Sequence, residues 1–109
     1  MAKKTTLRKN IRTIVSKYID LLKDEGISVE KAIVFGSFAK GNPKPYSDID
    51  ICIVSSQFGK DDFEESVLLA RKANEINPLI EPHPYSPQSL SMKYDSLANE
   101  IRRYGILVK

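Results

Sequence analysis

Apolar residues recur at helical spacing near the start of the chain. From Leu7 onward they fall three or four positions apart, which puts them on one side of an α-helix. Thr5 or Thr6 is a suitable N-cap for this helix, and Gly26 is a suitable stop. We therefore expect a first helix whose buried side carries Leu7, Ile11, Ile14, Val15, Tyr18 and Leu22.

Two runs further along predict strands. Residues 31–35 are β-prone and end at Gly36, after which 38–41 has room for about one helical turn. Residues 48–54 alternate with the period of a strand. The alternation gives this strand two faces. We expect helices to cover the apolar face, which carries Ile49, Ile51 and Ile53. We expect the other face, which carries Asp48, Asp50 and Cys52, to stay open.

The second half of the chain predicts a helix, a strand and a last helix. Asp61 and Glu64 resemble a capping box, which opens a helix through about Ile76. Prolines within 79–85 confine that extended segment to the edge of a sheet. The last helix opens at Ser86 and Pro87 and closes at Gly105, before a short apolar tail. The apolar residues expected on one face of the first helix are Phe63, Val67 and Ala70. Those expected on the last helix are Leu90, Tyr94, Leu97 and Ile101.

Helices alternating with strands indicate an α/β (α+β) fold, with a small mixed sheet and helices packed on one face. The 109 residues suffice for one hydrophobic core, so we expect residues 1–109 to form a single domain. The lone cysteine, Cys52, excludes an intrachain disulfide and is expected to fill the core. With no secretion signal and no apolar run longer than four residues, we expect a cytoplasmic protein without a membrane span.

The formal net charge of +3 comes from the first twelve residues, which hold five basic side chains and no acid. Such a stripe is compatible with an acidic partner or nucleic acid, and equally with a solvated terminus. Direct contact with nucleic acid is not expected.

Two features of the chain are suited to nucleotide chemistry. Asp48 and Asp50 lie about 6.6 Å apart along one face of a strand, where both carboxylates can bind magnesium, although a solvated strand end has the same pattern. Gly36 and Ser37 form a strand-to-helix turn, where backbone amides can hold phosphate, although a Gly-Ser turn alone is common. The combination of the two features is more specific than either one.

Gly36-Ser37, ten further residues and then Asp48-Ile49-Asp50 resemble the nucleotidyltransferase superfamily of the polymerase-β type, and most closely its minimal nucleotidyltransferases. The resemblance extends over nearly the whole chain, including a C-terminal Glu-Ile-x-x-x-Gly stretch, 100–105. It implies the nucleotidyltransferase fold and the transfer of AMP from ATP to a hydroxyl group.

The resemblance also implies roles for individual residues. Gly36 and Ser37 would hold the β and γ phosphates, while Asp48 and Asp50 would coordinate two Mg²⁺ ions. Glu81 takes the place of the third carboxylate, as metal ligand or general base, although minimal relatives are expected to carry aspartate there. There are three further candidates. Lys40 is expected as a phosphate ligand or a surface lysine, and Ser47 as a nucleotide-binding residue that can orient the loop before Asp48. His83 is expected as a contact to phosphate or substrate, or as a structural residue.

Minimal members of this family typically accompany a helical HEPN protein, and the resemblance implies that partner here. They act as antitoxins of type VII-like toxin–antitoxin pairs, some by adenylylating a tyrosine of the toxin. The alternative is a non-catalytic nucleotide-binding module that neutralises its partner by direct binding.

Overall fold

The computed structural model describes residues 7–109. This part of the chain contains five helices around a four-stranded sheet, in an α/β arrangement as expected. The elements in chain order are α1 (Lys9–Asp24), β1 (Lys31–Phe35), α2 (Ser37–Lys40), β2 (Ile49–Val54), α3 (Asp62–Ile76), β3 (Ile80–Tyr85), α4 (Pro87–Leu90), α5 (Ser96–Tyr104) and β4 (Ile106–Leu107).

The sheet is mixed, with strand order β3-β2-β1-β4. β1 runs antiparallel to both of its neighbours, whereas β2 and β3 are parallel and joined through the crossover helix α3. The expected apolar tail is in fact the edge strand β4, because Val34 of β1 pairs with Ile106. In the β2–β3 register, Asp50 lies opposite Glu81 and Cys52 lies opposite His83.

β3 forms the other edge of the sheet, as its prolines predict. Ile49 donates its N–H to the Leu79 carbonyl at 2.7 Å, and Ser55 donates to the Tyr85 carbonyl at 3.0 Å. Because alternate residues of a strand point their backbone groups to opposite sides, Pro82 has its backbone nitrogen on the outer side. Without an N–H there, this edge offers fewer donors to another strand.

Helices α1 and α3 cover the isoleucine face, as expected. The three isoleucines of β2 are buried beneath Val15, Tyr18 and Leu22 of α1 and Leu69 of α3. The Tyr18 hydroxyl donates a hydrogen bond of 2.8 Å to the Leu69 carbonyl, which ties the two helices together. This layer is the main hydrophobic core of the described residues.

The expectation of helices on one face is incomplete, because the structure also covers the far half of the aspartate face. There α4 and α5 bury Cys52 and Val54, with Phe35, Tyr85 and Ile101 in the same cluster. Cys52 therefore fills the core as expected. On this face, Asp48 is exposed and Asp50 is partly exposed.

The predicted apolar face of α3 is wrong. Phe63 is 74% exposed, while Leu69 and Ala73 are fully buried. Ile76 packs against the same core as Leu69. The helix start is as predicted, since the Asp61 carboxylate accepts from the Glu64 N–H at 3.1 Å, but the return bonds of this cap go to the Glu65 carboxylate rather than to Glu64.

The last helix is also different from the prediction. Ser86 caps α4 as expected, but the helix stops at Leu90, and α5 starts again with the Asp95 carboxylate as its cap. Tyr94 lies in the connection and is fully exposed, so it does not join the buried face.

At the opposite end of the chain, α1 begins at Lys9 with Arg8 as its N-cap residue. The predicted caps, Thr5 and Thr6, lie outside the described residues, as do Lys3 and Lys4 of the basic stripe. Within residues 7–109, no helix combines the length and apolar character needed to cross a membrane.

Candidate active site

Gly36 and Asp50 bring the two sequence motifs into contact. Gly36 follows β1 directly, caps the short helix α2 and has φ of 75°, a conformation that L side chains rarely adopt. A Cβ atom at this position would clash with Oδ2 of Asp50. The backbone at Gly36 is therefore close enough to Asp50 for one ligand to contact both.

Asp50, Glu81 and His83 form a compact group of possible metal ligands. One ligand atom from each lies within 4.8 Å of the others. The parallel register brings them together, because Glu81 is the β3 neighbour of Asp50 and His83 follows two positions later on the same face. Two carboxylates and an imidazole suit a divalent cation with oxygen and nitrogen ligands.

Burial raises the pKa of Asp50 to about 7, and the neighbouring carboxylate of Glu81 adds to this through a hydrogen bond and its charge. The charges of Asp48 and Glu100 act in the same direction. Repulsion between these carboxylates is therefore one cause of the raised pKa, after burial. A bound divalent ion would relieve this repulsion, so the residues present fit a metal ion.

His83 is half-buried, and its ring packs against Phe35 with a centroid distance of 5.2 Å. Burial lowers the pKa of His83, although the negative charge of Glu81 partly opposes this effect. A lowered pKa favours the neutral imidazole at neutral pH, the form that can bind a metal or accept a proton. From the sequence alone, His83 could be assigned to the same strand face as Glu81 but not to a group with Asp50.

Asp48 is exposed and lies one residue before β2, outside the group formed by Asp50, Glu81 and His83. Its charge nevertheless reaches Asp50. Ser47 orients the preceding loop, since its Oγ accepts a hydrogen bond of 2.7 Å from the Lys44 N–H. The role of Asp48 as a metal ligand and that of Ser47 in nucleotide binding stay predictions.

Lys40 lies at the end of α2, where its backbone N–H donates to the Gly36 carbonyl at 3.0 Å. Its ammonium forms an ion pair of 2.6 Å with Glu100 of α5. It also lies 5.2 Å from the centre of the Tyr104 ring. Ser37 is the first residue of α2, on the same turn as Gly36. Among the predicted site residues, the structure thus brings Gly36 close to Asp50 and groups Asp50 with Glu81 and His83.

The sequence of residues 15–97 matches the model of the nucleotidyltransferase domain family. The chain belongs to this family. No curated protein matches the chain in sequence. The mixed sheet, with Gly36 after β1 and Asp50 on β2, is the nucleotidyltransferase fold that the sequence motifs predicted.

Solved structures show the same fold at low sequence identity. A crystal structure of a toxin–antitoxin complex with AMP-PNP has a TM-score of 0.65 and 21% identity, over 90% of this chain and 72% of that one. A nucleotidyltransferase from Sulfolobus solfataricus, itself described as putative, has a TM-score of 0.63 and 16% identity, over 90% and 78%. A mutant of the toxin–antitoxin complex MntA-HpeT has a TM-score of 0.61 and 21% identity, over 86% and 71%.

Glu100 is the residue of this nucleotidyltransferase domain that was not predicted for the site. The sequence supplied one signal for it, since Glu100 opens the Glu-Ile-x-x-x-Gly stretch. Its position beside Lys40 depends on how α5 packs on the sheet. Sixty positions separate the two residues, so no local pattern could have paired them.

Proposed function

We propose that this nucleotidyltransferase domain transfers AMP from ATP to a hydroxyl group in a magnesium-dependent reaction. The contact between Gly36 and Asp50 carries the proposal, because it sets a loop suited to phosphate beside a carboxylate suited to a cation. Phosphoryl-transfer enzymes act chiefly by such positioning and charge stabilisation.

In this proposal, Gly36 and Ser37 hold the β and γ phosphates, while Asp48, Asp50 and Glu81 hold two Mg²⁺ ions. Lys40 and Ser47 complete the phosphate side of the site. When bound, the ions neutralise the polyphosphate and stabilise the charge on the leaving pyrophosphate. The crowding of negative charge around Asp50 supports a cation at this position.

The acceptor approaches from the side of β3, opposite the phosphate loop across Asp50. Its hydroxyl oxygen forms a bond to the α-phosphorus, and the bond from that phosphorus to the bridging oxygen of pyrophosphate breaks. Glu81 or the neutral imidazole of His83 takes the hydroxyl proton, since both lie on the β3 side of Asp50.

We further propose that residues 1–109 act as one domain and that the acceptor belongs to a helical toxin of the HEPN type. Two of the structural neighbours come from toxin–antitoxin complexes, and one of these holds AMP-PNP. Exposed apolar side chains, including Phe63 and Met92, offer contact area for a protein partner. Direct binding of nucleic acid is not part of the proposal.

A second candidate function is neutralisation of the toxin by binding alone. The exposed Phe63 on α3 supports a partner interface for this function as well, and such an interface needs no turnover. Glu81, in place of the expected aspartate, also keeps this candidate open.

Neutralisation in cells separates the two functions. The toxin is expressed with the wild-type chain, with Asp48→Asn, with Asp50→Asn or with Glu25→Gln as a control away from the carboxylate group. The catalytic function predicts that wild type and Glu25→Gln restore growth and that both aspartate variants fail at equal protein levels. Restoration of growth by the aspartate variants would contradict catalysis and support neutralisation by binding.

A further inference from the structure

Lys40 is held in place by Glu100, which approaches from another part of the fold. The ammonium lies 2.6 Å from Oε1 of Glu100. It also lies 5.2 Å from the centre of the Tyr104 ring, above the ring face. Both side chains of the ion pair are partly shielded, with exposed fractions of 39% and 34%. Two contacts therefore restrict a long side chain that would otherwise sample many rotamers.

The helix that presents Glu100 is itself fixed to the sheet. Ala98 and Ile101 of α5 are buried against the cluster around Phe35. At the end of the helix, a Cβ atom on Gly105 would clash with the Ile101 carbonyl and the Ile33 side chain, so the chain turns closely onto β1 there. Glu100 thus projects from a rigid element rather than from a loop.

Glu100 acts on both Lys40 of α2 and Asp50 of β2. It pairs with Lys40, and its negative charge also reaches Asp50. Lys40 is in turn bonded through its backbone to Gly36, the residue that contacts Asp50. Lys40 therefore lies one helical turn from the Gly36 and Ser37 backbone proposed to hold the triphosphate.

We propose that Glu100 is a positioning residue that holds the Lys40 ammonium ready for the phosphates of the incoming nucleotide. The inference rests on the nucleotide binding proposed above. Glu100 keeps Lys40 ordered before ATP arrives, so that less conformational entropy is lost when the ammonium meets the phosphates. Glu100 itself does not touch the nucleotide.

The test is the Kd for ATP with magnesium, measured by calorimetry, together with the Tm of each variant. Glu100→Gln should weaken binding about 5-fold and Lys40→Met about 10-fold, the scale of one ordinary hydrogen bond. The double variant should bind no more weakly than Lys40→Met alone, because Glu100 acts through Lys40. Glu25→Gln, which breaks the Lys72–Glu25 ion pair of 3.1 Å, should leave the Kd unchanged.

The charge swap Lys40→Glu with Glu100→Lys separates positioning from simple stabilisation. It restores an ion pair and should restore the Tm, yet binding should stay at least 10-fold weaker because an acid replaces the ammonium on α2. Recovery of both Tm and Kd in the swap, or an unchanged Kd in Glu100→Gln, would overturn the positioning role while ATP binding by wild type stands. Absence of ATP binding by wild type would overturn the proposed function and this inference together.

Discussion

The backbone of Gly36 lies directly against the carboxylate of Asp50, so that a single methyl group on the glycine would clash with Oδ2 of the aspartate. Fourteen positions separate the two residues, and the antiparallel pairing of β1 with β2 brings them together. Glycine is needed here for two reasons: its φ of 75° and the space that the carboxylate occupies.

Gly36→Ala should therefore destabilise the fold more than a positive φ alone explains. Gly26→Ala is a matched control, because Gly26 has φ of 85° with nothing within 4 Å of the added Cβ. We expect a loss of about 1 kcal/mol for Gly26→Ala and about 2–4 kcal/mol for Gly36→Ala, measured by urea unfolding. Asp50→Ala in the Gly36→Ala background should recover part of the difference, and equal losses in the two glycine variants would contradict the contact.

The pH dependence of stability should report on Asp50. Its pKa rises from the usual 3.8 to about 7 in the folded chain, so the folded state binds more protons between these values. Without metal, this carboxyl therefore contributes stability below about pH 4 that is lost as the pH rises through about 7. Asp50→Asn should stabilise the metal-free protein at pH 8 on the order of 1 kcal/mol, reduced by solvent screening at this partly exposed position.

Magnesium should oppose the loss of stability at high pH, since the metal competes with the proton for the same carboxylates. We expect millimolar MgCl₂ to raise the Tm more at pH 8 than at pH 5.5, and to have little effect on Asp50→Asn at either pH. A magnesium effect that is independent of pH and survives Asp50→Asn would place the ion elsewhere.

Most strands, and the elements in the first half of the chain, could be predicted from the sequence, because each depends on the spacing of apolar residues within one short segment. The alternation in β2 determines which residues face α1 and α3, and the prolines confine β3 to an edge. The alternation also identified Asp50 as a candidate, whereas Glu81 was a candidate only through the family resemblance. Their pairing, and the inclusion of His83 beside them, depends on the parallel register of β2 and β3, which no single segment encodes.

The face of α3 shows why spacing alone is insufficient. Two apolar sets share the same spacing, so periodicity cannot choose between them: Phe63, Val67 and Ala70, and Leu69, Ala73 and Ile76. Packing against the sheet selects the second set. The break between α4 and α5 likewise depends on Asp95 as a second cap.

Alanine substitutions on α3 test this assignment of faces. Leu69→Ala should cost about 2–4 kcal/mol because it leaves a cavity under a fully buried side chain. Phe63→Ala should change the free energy of unfolding by less than about 0.5 kcal/mol, since its ring is mostly exposed. The reverse order of losses in chemical denaturation would restore the face that the sequence predicted.

Transfer of label from ATP to the toxin tests the central claim most directly. The chain and toxin are incubated with magnesium and with ATP labelled at either the α or the γ phosphate, and labelled protein is then counted. AMP transfer predicts label on the toxin from α-labelled ATP only, release of pyrophosphate, and loss of labelling in Asp50→Asn, which keeps its fold. No protein label from α-labelled ATP, or equal labelling by Asp50→Asn, would contradict the account.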